Sequence, residues 1–244
     1  MESAVSKRIV LWLRKKVEEA RAKGLVFGLS GGIDSACVGV LSKMAFEDDC
    51  IGLIMPCESH IEDEKMALLV ANKFSIPTKK ISLDESFREL LKILPHSGNH
   101  ISIANIKPRL RMLTLYYFAS NYNYLVAGTD NKTEAMLGYY TKYGDGGVDI
   151  LPIGNLFKSQ VRELARELDI PREIIERKPS AGLWPGQSDE DEIGLSYDEM
   201  DTILKATETN NTDDMDKTKL DKIKGIISKS QHKRDAIPVF KQGE

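Results

Sequence analysis

Residues 28–35 read Gly-Leu-Ser-Gly-Gly-Ile-Asp-Ser, directly after the apolar run Leu25, Val26 and Phe27 and directly before a helical pattern from Ala36 to Ala45. A strand, a glycine turn and a helix start in that order crowd backbone amides where a phosphate binds. The stretch has neither the lysine of a Walker A loop nor the spacing of Gly-x-Gly-x-x-Gly, so it is a phosphate loop of another kind.

Gly31 and Gly32 permit backbone angles that a Cβ forbids, which lets successive amides form an anion nest at the positive end of the following helix. Ser30 and Ser35 can add hydroxyl donors. A carboxylate inside an anion site, Asp34, conflicts with the phosphates unless a cation stands between them, and Mg²⁺ is the ordinary cation for that role. The alternative is a glycine-rich turn in which Asp34 is a solvated helix cap. The octet resembles the signature of the N-type ATP pyrophosphatases, which cleave ATP between its α and β phosphates and adenylate an oxygen. That resemblance implies ATP as cosubstrate and pyrophosphate in the loop, and it leaves the acceptor open.

Working outward, Val5, Ile9, Trp12, Leu13, Val17 and Ala20 repeat at helical spacing up to Gly24, which the pattern predicts as a C-cap. Strand-like Ile51 to Met55 leads to a helix near Asp63 to Phe74, and strand-like Thr78 to Ser82 to a helix near Glu85 to Leu94. A helix from Asn105 to Asn121 then leads to strand-like Tyr124 to Ala127. Strands alternating with helices predict an α/β fold, a single-domain doubly wound parallel sheet flanked by helices over residues 1–244, with ligands at the carboxyl ends of the strands. The polar stretch Thr207 to Lys222 reads as a surface loop entering a short helix.

The composition, 41% hydrophobic and 29% charged over 244 residues, is that of a soluble globular chain able to bury a full core. A net charge of −3 gives no footprint for a long polyanion, so nucleic acid is disfavoured as a partner. Three cysteines without a Cys-x-x-Cys pair indicate neither a disulfide framework nor a zinc site and fit a reducing cytoplasm. No apolar run reaches the length of a membrane span, and the N-terminus reads as an amphipathic helix rather than a signal peptide.

The second informative block is 128–160, which opens as another strand-to-helix turn, Gly-Thr-Asp-Asn-Lys-Thr-Glu. Glu134, facing inward, would join Asp34 as a second carboxylate around one cation; otherwise it is a partner of its helix dipole. Asn155 reads as an N-cap, which puts Lys158 in a first turn, where a cation is disfavoured by up to ~1 kcal/mol. ATP phosphates would compensate it, or its long side chain reaches solvent. In the Gly138 to Gly147 loop, Tyr139, Tyr140 and Tyr143 interleave with Lys142, a composition that can close over a heteroaromatic ring while the lysine meets an anion, or simply place core tyrosines beside a turn. Asp145 and Asp149 can bind ribose hydroxyls, hold an amine or support the turn. Arg109 and Arg111, two apart on one helix, point to different faces, so at most one enters a site and the other is solvated. The acidic run Asp189 to Glu192 reads as a solvated or mobile loop in preference to a second metal site.

The run Gly128 to Glu134 and its continuation Thr-Lys-Tyr-Gly-Asp-Gly-Gly-Val-Asp-Ile-Leu-Pro-Ile, with Lys178-Pro-Ser-Ala-Gly-Leu-Trp184, Gln187-Ser-Asp-Glu190 and His232-Lys-Arg234, resembles the ammonia-dependent NAD synthetases from the phosphate loop to the C-terminus. The resemblance implies an adenine nucleotide alpha hydrolase-like, Rossmann-like fold. It implies ATP contacts from Gly28, Leu29, Ser30, Gly31, Gly32, Ile33, Asp34, Ser35, Thr129, Lys158 and Ser180, and Mg²⁺ at Asp34 and Glu134. It further implies deamido-NAD contacts from Arg109, Lys142, Asp149, His232 and Lys233, and it selects Arg109 over Arg111. The last two, His232 and Lys233, lie in a polar tail that by itself reads as exposed. Position 180 is serine where some relatives have threonine, which keeps the hydroxyl.

The implied reaction joins ammonia to the nicotinate carboxylate of deamido-NAD through an NAD-adenylate, with Asp34 and Lys158 serving the phosphate side; Asp145 is the candidate for accepting the proton of ammonia or holding ammonium, the alternative being an aspartate that stabilises the turn. The chain has no room for a glutaminase domain; free ammonia is the economical nitrogen source, although a separate glutaminase subunit could deliver it. A homodimer with the dinucleotide near the subunit interface is also implied. The competing readings are an adenylating tRNA-modifying enzyme, a GMP-synthetase-like enzyme and a non-catalytic ATP sensor.

Overall fold

The computed structural model describes residues 4–184 and 186–241. Helix α1 (Val5–Glu19) turns Val10, Leu13 and Val17 into the core and ends at Ala20, after which Arg21 takes a left-handed conformation. Gly24 is therefore not the cap that the spacing predicts. It opens β1 (Gly24–Gly28), where a Cβ would lie 1.8 Å from the Asp49 carbonyl oxygen.

The chain continues through α2 (Ile33–Phe46), β2 (Cys50–Ile54), α3 (Ile61–Phe74), β3 (Thr78–Lys80), α4 (Asp84–Ile93), α5 (His100–Ala104), α6 (Ile106–Tyr122) and β4 (Tyr124–Val126). Beyond the sheet lie α7 (Lys132–Leu137), α8 (Lys158–Glu167), α9 (Arg172–Ile175), α10 (Asp189–Ile193), α11 (Tyr197–Glu208) and α12 (Lys217–Ser230), followed by a 3₁₀ turn over Gln231–Lys233. The helix predicted from Asn105 is divided, because Asn105 caps both α5 and α6. The polar stretch after α11 leads to a helix of 14 residues rather than a short one. Among the described residues no helix is long and apolar enough to cross a membrane.

The four strands lie in the order β3-β2-β1-β4, every pair parallel, with Val26 opposite both Ile51 and Val126. Alternation along β1 sends Leu25 and Phe27 to one face and Val26 to the other. On the first face they pack with α1, α2, α3 and α8 through Val10, Leu41, Val70 and Val161; on the second, Val26 and Leu53 pack with Phe87 of α4 and Met112 and Phe118 of α6. The crossovers to β2 and β3 thus cover one face and the return to β4 covers the other, as right-handed connections demand. The direction of winding reverses between β1 and β4, which opens a crevice at their carboxyl ends. A third apolar cluster, with Leu137, Phe157, Met200, Leu204 and Ile223, seats α11 and α12 against α7 and the start of α8. The 3₁₀ turn that follows α12 brings His232 and Lys233 to the crevice.

Candidate active site

The loops after β1 and β4 meet at that crevice. In the first, Gly31 has φ +82°, and a Cβ on it would stand 2.3 Å from the Asp63 carbonyl oxygen, so both the conformation and the packing against α3 require glycine. The Ser35 hydroxyl donates to the Gly32 carbonyl (2.9 Å), lies 3.0 Å from the Ser30 hydroxyl and accepts from the Ser30 amide. Gly32 is the N-cap of α2, and no side chain caps that helix end. The loop is braced from within, and its helix dipole points into the crevice.

In the second loop Asn131 and Glu134 form a capping box at the start of α7: the Asn131 side chain accepts from the Glu134 amide (3.1 Å) and Glu134 Oε2 from the Asn131 amide (3.2 Å). Asn131 Nδ2 also donates to Asp34 Oδ1 at 3.0 Å, which ties the two loops together. The Asn-x-x-Glu spacing made this box readable in the sequence; the contact with Asp34 was not.

Lys158, the first residue of α8, is 2% exposed, and its ammonium donates to Asp34 Oδ2 at 2.5 Å and Glu134 Oε1 at 3.2 Å. Its side chain therefore does not reach solvent, and the anions that offset a cation at a helix start are the chain's own carboxylates. Asn155 is exposed; the residue before the helix is Phe157, whose amide donates to the Gln160 side chain. Burial alone would lower the Lys158 ammonium, but Asp34 and Glu134 outweigh it and hold the group above its ordinary value. Burial pushes Glu134 up to about 7, helped by the neighbouring Asp34 charge and opposed by Lys158. The three groups form one charge cluster drawn from three separate elements.

The crevice has a volume of about 1130 Å³ and is lined by Gly28, Leu29, Ser30, Gly32, Ile33, Asp34, Ser35, Thr129, Asp130, Glu134, Lys158 and Ser180, and on its other side by Arg109, Lys142, Asp145, His232 and Lys233. One ligand pocket typically spans ~300–1000 Å³, so the crevice lies just above that range and has room for a nucleotide. Of the residues singled out in the sequence, Gly31 serves the backbone of the loop, and only Asp149 stands apart. It is exposed, and its carboxylate accepts from the Val126 amide (2.7 Å) and the Tyr116 hydroxyl (3.0 Å).

On the acceptor side, Arg109 donates from Nε and a terminal nitrogen to the Lys142 carbonyl, each at 3.3 Å. Lys142 Nζ donates to the His232 carbonyl (2.6 Å), and Lys233 Nζ to the carbonyls of Gly138 (2.7 Å) and Tyr140 (2.6 Å). The polar tail is thus folded onto the Gly138–Gly147 loop. His232 itself is exposed and takes part through its backbone. Among the described residues none of these three cations is bonded to a carboxylate.

Three sequence expectations change. Arg111 is not solvated: it is half-buried and lines the crevice as Arg109 does, so both arginines enter the site; it donates to the Met55 carbonyl (3.1 Å) and the Ser59 hydroxyl (3.0 Å), and burial lowers its pKa. The acidic run opens α10, and Asp189 is 4% exposed, accepting from the Ala181 amide (3.0 Å), Tyr139 (3.2 Å) and Tyr197 (3.0 Å). Tyr197 also donates to Glu134 Oε1 at 3.1 Å, so the 180–192 segment is joined to the charge cluster. Asp145 combines two of its readings, since it accepts from the Thr141 amide (3.0 Å) and lines the crevice; burial raises its pKa and that of the neighbouring Asp130.

A parallel sheet whose switch point carries a braced glycine loop, an open helix start and converging carboxylates is an α/β nucleotide-binding architecture. The model of the family described as NAD synthase matches residues 5–237. The chain belongs to that family of ATP-dependent amide-forming ligases. It is 49% identical over 233 residues to the NH(3)-dependent NAD(+) synthetase of Carboxydothermus hydrogenoformans, covering 94% of this chain and 93% of the relative. Among solved structures, the NMN synthetase from Francisella tularensis superposes with a TM-score of 0.90 at 38% identity, covering 96% of each chain. The NH3-dependent NAD synthetase from Campylobacter jejuni superposes with a TM-score of 0.85 at 30% identity, covering 97% of this chain and 98% of that one.

Proposed function

We propose that this protein makes NAD from deamido-NAD, ATP and ammonia. The observation that carries the reading is the meeting of Asp34, Glu134 and Lys158 beside the glycine loop, across the crevice from Arg109, Lys142 and Lys233, which form no ion pair among the described residues. In the first step a nicotinate carboxylate oxygen attacks the α-phosphorus and pyrophosphate leaves. The loop amides, the α2 N-terminus and Lys158 stabilise the charge on the departing side. Arg109, Lys142 and Lys233 hold the anionic acceptor in line, and Thr129 and Ser180 add hydroxyl donors. In the second step ammonia attacks the acyl carbon and AMP leaves; one proton must leave the nitrogen, and Asp145, its carboxylate made more basic by burial, accepts it.

Asp34 and Glu134 suit Mg²⁺, because their oxygens converge closely enough to share one ammonium, and a hard ion bound with phosphates takes one or two protein carboxylates. Held there, such an ion would supply charge neutralisation at the phosphate oxygens. A homodimer belongs to the same proposal. Leu113 (69% exposed) and Tyr117 (65% exposed) leave an apolar face on α6, near Tyr116 and Asp149, so a partner across that face would bring Asp149 to a bound dinucleotide. The free, buried cysteines suit a reducing cytoplasm.

The likeness to an NMN synthetase supports a second reading, in which the acceptor is the mononucleotide acid. Pyrophosphate release with Mg²⁺ and ATP, measured with ammonium plus deamido-NAD, nicotinate mononucleotide or no acceptor, separates the two. NAD formation with deamido-NAD as the better substrate is expected. A higher kcat/KM for the mononucleotide replaces the acceptor, and no amide product from either overturns the proposal.

A further inference from the structure

Lys158 and Glu134 are held in register by two residues that do not line the crevice. Asp201 of α11 is 2% exposed, and Thr133 of α7 is fully buried. The Thr133 hydroxyl donates to Asp201 Oδ1 at 2.5 Å and accepts from the Lys158 amide at 3.1 Å, while Asp201 Oδ2 accepts from the Ser159 amide at 2.8 Å. One buried carboxylate therefore takes up a first-turn amide of α8 directly and, through Thr133, is linked to a second. Thr133 is the residue before Glu134, and the amides held are those of Lys158 and its neighbour.

We propose that Asp201 and Thr133 are positioning residues that set where the Lys158 ammonium and the Glu134 carboxylate meet Asp34. A cation at the first position of a helix opposes the helix dipole, and a carboxylate on the first-turn amides offsets that opposition. Asp201 is placed to do so from the side of α8 away from the substrates. Charge-assisted bonds to amides are short and directional, so the pair fixes the start of α8 in rotation as well as in place. A hydrophobic contact of the same area would hold the helix down but leave it free to rock. The C-terminal helical layer, which contributes no group to the crevice through α11, thereby governs the geometry of the phosphate side.

The proposal rests on the phosphate-side role given to Lys158, so its test has an arm that does not depend on turnover. In full-length protein, Asp201→Asn, Thr133→Val and Thr133→Ser are compared with the parent. Acetylation of Lys158 by acetic anhydride, followed by peptide mass spectrometry, reports the lysine's position. Lys158 is expected to react slowly in the parent and in Thr133→Ser, and at least about threefold faster in the other two. In the synthetase assay those two are expected to lose ~10–100-fold in kcat with KM values for ATP and acceptor within about threefold, while Thr133→Ser stays within about threefold of the parent. Unchanged Lys158 labelling in Thr133→Val overturns the proposal, as does Thr133→Ser failing as badly as Thr133→Val. Should Asp201→Asn not fold, the Thr133 pair decides by the same criteria. A parent protein that forms no NAD refutes the function and leaves the labelling result to judge the positioning.

Discussion

The two sides of the crevice are built differently. On the phosphate side charge meets charge: Lys158 is enclosed by Asp34 and Glu134, which are held in turn by Asn131 and Tyr197. On the acceptor side the hydrogen bonds of Arg109, Lys142 and Lys233 among the described residues go to backbone carbonyls, which orient a cation without cancelling its charge. A neutralised, rigid cluster suits a step whose barrier is lowered by fixed dipoles, since reorganisation would waste them. Uncancelled cations suit recognition of an anion, because they keep most of their charge for the ligand. Geometry is stored in one wall and attraction in the other.

Removing the central cation should separate the walls most sharply. Lys158→Met leaves two carboxylates facing each other across a partly buried site, a loss expected to cost about 3 kcal/mol in urea unfolding. The same change should lower kcat ~10³-fold, since it deletes a donor to the departing phosphates. Stability equal to the parent's would mean that the cluster is not held by this ion pair. On the opposite wall, Arg109→Ala should leave unfolding within about 0.5 kcal/mol, because the side chain is exposed and holds only a carbonyl. Its effect belongs in the acceptor KM, raised about tenfold with the ATP KM unchanged, as for one lost charged hydrogen bond. Equal increases in both KM values would contradict the division into two walls.

The smallest effect concerns pH. Burial raises the pKa of Glu134, to about 7, and of Asp130, Asp145 and Asp189. A carboxyl with a folded pKa above its unfolded one binds more protons when folded, so stability rises as pH falls between those values. The ligand-free protein should accordingly melt a few degrees higher near pH 5 than near pH 7, the reverse of ordinary acid sensitivity. Glu134→Gln should flatten that slope; a Tm that falls steadily from pH 7 to pH 5 would show that these carboxylates remain ionised.

Much of this protein is legible locally. The octet 28–35 and the alternation of apolar strands with helical stripes define the switch-point fold, because strand and helix periods and glycine's freedom at positive φ act over a few residues. The errors have local causes too. Gly24 looks like a helix cap since both caps and crowded strand starts require glycine, and only the Asp49 carbonyl distinguishes them. Asn155 looks like an N-cap because its type is right, yet α8 begins two residues after the position that assignment predicts.

The phosphate loop, the order of strands and helices, and the set of residues that resemble a synthetase can be read along the chain. Which charges meet is settled by packing alone. Lys158 reaches Asp34 across 124 positions, Arg111 donates to the Met55 carbonyl rather than to solvent, Asp189 leaves an acidic run for the interior, and Asp201 grips a helix it follows by some forty residues. Backbone preference is set by neighbours in the chain, whereas the pairing of buried charges is set by how whole elements pack. A pattern of residue types carries the first and not the second.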